Sequence, residues 1–153
     1  MSTYAPLFPI GVAYDPSLPQ FIESFYAAVD SSLPEDHQRY ANMYTENAVF
    51  KIGNQFAATG PTGILEELKT YHEQNASIKH EIKKAFPFGG AEELMLLGST
   101  TTRAKEEKGG EVTELDWASH FQLVRQDGAL KILEYTVYVV RLIFLAVIYM
   151  AGF

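Results

Sequence analysis

Cysteine is absent from the 153 residues, so no disulfide framework, thiolate nucleophile or thiolate metal site is open to this chain. That usage fits a reducing compartment, and the cytosol is the expected location. Basic residues are few, 12 Lys and Arg against 19 Asp and Glu, giving a net charge of −7. They are scattered rather than gathered into the stripe that phosphate-backbone binding needs, so nucleic acid is not an expected partner. Internal repeats and low-complexity tracts are lacking. No basic stretch followed by an apolar one opens the chain, so no secretory signal is expected. The sequence also lacks a His-Glu-x-x-His pair, a phosphate loop, a dinucleotide fingerprint and a Gly-x-Ser-x-Gly elbow, and its histidines do not fall at metal-ligand spacing. No metal and no cofactor is implied, which leaves cofactor-independent proton transfer as the chemistry to look for.

The length suits one domain, since a chain of about 150 residues buries close to 70% of its unfolded surface and can hold a core with an internal pocket. Three segments rich in β-branched and aromatic residues, Leu94–Lys105, Glu111–Arg125 and Ala129–Val140, are separated by Glu107-Lys108-Gly109-Gly110 and Gln126-Asp127-Gly128. Glycine accepts the positive φ of tight hairpin turns, so these predict an antiparallel meander. Strands of that length must bend, usually through bulges, and a bent sheet makes a trough that other elements have to fill.

The filler is predicted to be helical. After an irregular arm over residues 1–14, Asp15 or Ser17 caps a helix whose Leu18, Ile22, Phe25 and Val29 recur at helical spacing. Ser32-Leu33-Pro34-Glu35 has capping-box spacing and opens a short helix with His37, Tyr40, Ala41 and Tyr44 on one face. Two tyrosines there suit either a polar ligand or an ordinary core whose hydroxyls bond to backbone. A short hairpin over Asn47–Thr59 follows, then an amphipathic helix with Ile64, Leu65, Leu68, Tyr71 and His72 on one side. From Ser77 to Phe86 the period changes to two, placing Ile78, His80 and Ile82 inward.

This order resembles the nuclear transport factor 2-like superfamily, an α+β cone, and more narrowly its SnoaL-like branch of polyketide cyclases, dehydratases, isomerases and small epoxide hydrolases. The resemblance runs from about Leu18 to Val140. It rests on Ile78-Lys79-His80-Glu81-Ile82, Glu93-Leu94-Met95-Leu96-Leu97-Gly98, Leu115-Asp116-Trp117-Ala118, Leu130-Lys131-Ile132 and Tyr135-Thr136-Val137-Tyr138. The spelling is similar to that of uncharacterised fungal members. One departure matters: relatives often carry an aspartate shortly after the Tyr-x-Val-Tyr run, where this chain has Val140.

The resemblance implies a curved antiparallel sheet wrapped around N-terminal helices over residues 15–140, enclosing an apolar cavity. It also implies a cofactor-free isomerase, dehydratase or cyclase acting on an apolar polyketide- or terpenoid-like substrate. His80 is then the first proton-transfer candidate, because a reference pKa of about 6.5 lets histidine give or take a proton near neutrality. His72 and Tyr135 are further catalytic candidates. Tyr40, Tyr44, Phe50, Trp117, Ser119 and Phe121 are expected to line the pocket. Parity on the last strand predicts Leu133, Tyr135, Val137 and Val139 inward. A bulge in the preceding strand would instead bring Asp116 and His120 inside as an acid and base pair.

The alternative function is a non-catalytic dimeric binding or interaction module, which Val140 in place of an acid favours. Either way the open sheet face is expected to form a homodimer. The run from Leu142 to Met150 falls short of the ~20 residues a bilayer span needs. Residues 141–153 therefore form an apolar extension, and membrane attachment is not expected.

Overall fold

The computed structural model of this chain describes residues 2–139. The expectations about Val140 and the apolar extension lie outside them. Three helices, α1 (Leu18–Asp30), α2 (Pro34–Ala41) and α3 (Gly60–Gln74), pack into the hollow of one sheet. Its strands are β1 (Tyr44–Ile52), β2 (Gln55–Thr59), β3 (Asn75–Phe88), β4 (Glu93–Ala104), β5 (Val112–Gln126) and β6 (Ala129–Val139), in the order β2-β1-β6-β5-β4-β3. All neighbours are antiparallel except β1 and β6, which run parallel, so the expected antiparallel sheet is mixed.

The helix faces follow from their apolar spacing: Leu18, Phe21, Ile22, Phe25, Tyr26 and Val29 of α1 are all buried. Capping differs from expectation. Ser32 opens no capping box; α2 starts after Leu33 without a side-chain cap, while the Ser31 hydroxyl bonds to Asp36 instead. Proline at the start of α2 reduces the need for a cap, since its nitrogen carries no hydrogen to satisfy. Asp15 accepts from Ser17 at 2.8 Å and from Arg125, tying the entry of α1 to the β5–β6 turn.

The sheet bends at register shifts. In β3 the pairing steps from Ile82↔Gly98 to Lys84↔Leu97, leaving Lys83 extra. In β6 it steps from Glu134↔Gln122 to Ile132↔Leu123, leaving Leu133 extra. The second shift corrects the reading of β6: Leu133 is 37% exposed and Ile132 takes the inward place with no exposure, while Tyr135 is inward as its parity requires. Between β4 and β5 the register is unbroken, so no bulge turns Asp116 or His120 inward. The arm also has a definite place. Leu7 bridges Lys84 in parallel, and the carbonyls of Thr3 and Leu7 accept the Ile82 and Ala85 amides, so the arm shields the free edge of β3.

Candidate active site

The site is built where α1 ends against that edge strand. His80 sits in the middle of β3, and its Nδ1 lies 2.5 Å from Asp30 Oδ1. The His80 backbone amide points away from β4 and donates to Asp30 Oδ2 at 2.7 Å, so one carboxylate holds both the ring and the main chain of the histidine. The Tyr4 hydroxyl, delivered by the arm, donates to the same Oδ2 at 2.9 Å. Side-chain exposures of 12% for His80 and 7% for Asp30 place the pair at the rim of the core.

Aromatic side chains form the wall beside the ring. Tyr26 and Trp117 lie 5.1 and 5.9 Å from the His80 ring centre, and they stack on each other at 5.5 Å. Trp117 is held by donating from Nε1 to the Thr100 hydroxyl at 2.7 Å, and its indole lies over Gly98. The Tyr26 hydroxyl is 3.4 Å from that of Ser119. His80 Nε2 makes no hydrogen bond among the described residues.

A carboxylate on Nδ1 fixes the tautomer with its hydrogen there and leaves the Nε2 lone pair as a base. It also stabilises the imidazolium that forms when Nε2 takes a proton. The phenols cannot share that task. Burial raises Tyr26, Tyr40, Tyr44 and Tyr135 above the ordinary tyrosine range, and Tyr71 is pushed up to about 12, first by burial and then by Asp30. They remain neutral near pH 7 and can only donate or accept hydrogen bonds.

The sequence-derived candidates separate into three places. His80, Trp117 and Ser119 meet around Tyr26. Tyr40, Tyr44, Phe121 and Tyr135 surround the Phe25 ring, with Phe50 stacked on Tyr135 at 5.4 Å, and the Tyr44 hydroxyl donates to that of Tyr40 at 2.8 Å. His72 lies elsewhere, with Nε2 2.7 Å from the Val29 carbonyl and its ring 4.6 Å from that of His37. On the outer face Asp116 is exposed and pairs with Lys83, while His120 meets Glu93 at 2.7 Å. No group of three His, Asp or Glu side chains that could hold a metal occurs among the described residues, and none of their helices is long and apolar enough to cross a membrane.

Asp30 was not singled out from the sequence, and Tyr4 only as one of several arm residues able to cover a pocket mouth or a partner subunit. A signal for Asp30 was present: it is an acid in the last position of α1, where the helix dipole disfavours negative charge, and no basic residue shares that turn. The bond from Tyr4 to Asp30 leaves no such signal, because only tertiary packing brings the arm there.

No family model and no curated protein matches this sequence. Solved structures do match its fold. An NTF2-like protein of unknown function from Exiguobacterium sp. 255-15 superposes with a TM-score of 0.66 at 14% identity, over 78% of this chain and 97% of that one. A hexachlorocyclohexane dehydrochlorinase, LinA type 2, gives 0.67 at 16% identity over 82% and 84%. A protein from Shewanella putrefaciens CN-32 described as a SnoaL-like polyketide cyclase gives 0.66 at 14% identity over 81% and 90%. With helices laid in the hollow of a curved sheet whose β2 and β3 edges stay apart, this chain has the NTF2-like α+β cone fold.

Proposed function

We propose that this protein is a cofactor-independent proton-transfer enzyme, an isomerase, dehydratase or cyclase of an apolar polyketide- or terpenoid-like substrate, in which His80 is the base and Asp30 orients it. The observation that carries this reading is the Asp30–His80 contact of 2.5 Å with Nε2 left unbonded beside Tyr26 and Trp117. Tyr26 and Trp117 are almost fully buried, so a substrate would reach Nε2 from the rim at His80 and present an acidic C–H to it there. Loss of that proton leaves an enolate or drives out a β-hydroxyl, and the imidazolium returns the proton to carbon or to the leaving oxygen. His72, bonded to backbone, is not assigned the proton, and Tyr135 is kept as a pocket phenol within the Phe25 cluster.

The test begins by extracting small molecules that co-purify from the native host and identifying them by mass spectrometry. Against the substrate so found, His80→Gln and Asp30→Asn should each lower turnover, His80→Gln by about 10²–10⁴-fold, the usual contribution of a general base. An unchanged rate in folded His80→Gln would refute the assignment. The second reading, a non-catalytic binding module, draws its support from the density of aromatic packing around Phe25, which fills much of the cone. It predicts a co-purifying molecule that is bound and released unaltered.

A further inference from the structure

Helix α1 ends without the usual local devices. No glycine follows it, Ser31 is extended, and no basic residue lies in its last turn. The final carbonyls of a helix lack intrahelical partners, and a carboxylate there adds charge of the disfavoured sign. Two imidazoles from other helices meet this need. His72, in the last turn of α3, has Nε2 2.7 Å from the Val29 carbonyl, and His37, in α2, has Nε2 2.6 Å from the Ser31 carbonyl. Val29 and Ser31 are the residues on either side of Asp30, and the two rings lie 4.6 Å apart, tilted by 38°.

We propose that His37 and His72 are positioning residues, two imidazoles whose Nε2–H groups clamp the carbonyls flanking Asp30 and so aim its carboxylate at His80. The proposal rests on the reading of Asp30 and His80 as the proton-transfer pair. With the His72 N–H on the carbonyl before Asp30 and the His37 N–H on the carbonyl after it, the Asp30 backbone has little freedom to turn. The carboxylate can then keep its three bonds, to the His80 ring, the His80 amide and Tyr4. The same donors offset the negative potential that the carbonyl ends of α1 would otherwise present to Asp30. The two rings cannot both be imidazolium, because two such charges at 4.6 Å would repel. Burial lowers the pKa of His72 below its ordinary value, which favours its uncharged form.

Nitrogen-15 NMR of histidine-labelled, unmodified protein at neutral pH tests the clamp directly. His37 and His72 should both be Nε2–H tautomers, and His80 should show a downfield Nδ1–H proton that Asp30→Asn removes. His37→Phe and His72→Phe keep a ring but drop the donor, and each should lose that His80 signal while far-UV circular dichroism is retained. Glutamine, whose amide N–H reaches the place of Nε2, should preserve it in His72→Gln. An Nδ1–H tautomer, with no hydrogen on Nε2, at His37 or His72 in the unmodified chain overturns the proposal, even if the phenylalanine variants fail to fold. A His80 signal that survives in both phenylalanine variants overturns it too, leaving the histidines as plain helix caps. If Asp30→Asn leaves the signal unaltered, the Asp30–His80 pairing itself is wrong and the clamp falls with it.

Discussion

Gly98 shows how one residue without a side chain sets the wall of the candidate site. It pairs with Trp117 across β4 and β5, and a Cβ there would stand 2.4 Å from the indole Cζ2 and 2.5 Å from the Glu81 carbonyl. The indole is fixed by the hydroxyl of Thr100, two residues from Gly98 along the same strand, and backbone cannot yield at Glu81, so neither neighbour gives way readily. Gly98→Ala should therefore cost about 1–3 kcal/mol, the usual penalty for overpacking. In a chain of this size each kcal/mol lowers the melting temperature by roughly 2–4 °C, and near-UV circular dichroism should report the displaced tryptophan. An unaltered melting curve would mean that the indole can lie elsewhere. Trp117 thus contributes to the His80 environment only because position 98 is empty.

At the scale of elements, the end of α1 is where stability and the candidate chemistry meet. Burial lowers the pKa of His72 from 6.5, with His37 and Lys105 acting in the same direction and the Val29 carbonyl and Asp30 opposing. The folded chain therefore holds this proton less readily than the unfolded chain does. The resulting contribution to stability is complete above the unfolded pKa of 6.5 and is lost as pH falls from there through the lower folded value. The urea midpoint of the natural chain should accordingly fall more than that of His72→Gln between about pH 7.5 and about pH 5.5. Equal decreases in the two proteins would show that His72 does not titrate differently on folding. The edge of β3 follows the same economy: the amides of His80, Ile82 and Ala85, unpaired in the sheet, are taken by Asp30, Thr3 and Leu7. The edge is covered and the catalytic candidate is anchored by the same bonds.

For the molecule as a whole, the outer face of the sheet is the surface left to explain. Phe86 and Met95 face each other there, Leu97 lies one step along and Phe88 is 75% exposed, with the His120–Glu93 pair beside them. Contiguous apolar surface of this kind marks an association site more often than bare solvent-facing protein. We propose that two copies meet through it about a two-fold axis, as a self-complementary face requires. Sedimentation velocity should then find a dimer for the natural chain and a monomer for Met95→Glu, which places a charge in the middle of the patch. A natural chain that sediments as a monomer would rule the face out as a homodimer interface.

Much of this architecture could be read from residue order. Period-two spacing around His80 specified which side of that strand is buried, and the spacing of Leu18, Ile22, Phe25 and Val29 specified the face of α1. Those patterns are local, and burial of apolar side chains enforces them wherever the element lies. The extra residue at Leu133 was not legible, because a bulge answers to the strand paired opposite it rather than to its own sequence. Nor was the parallel pairing of β1 with β6, which joins segments far apart in the chain. His80 was visible as an inward histidine, but its partner Asp30 stands fifty positions earlier at the end of a helix, and Tyr4 arrives from an arm without periodicity. The sequence determined which side chains face the interior; the tertiary structure alone decided which of them touch, because hydrogen bonds between distant segments depend on where whole elements pack and leave no period in the chain.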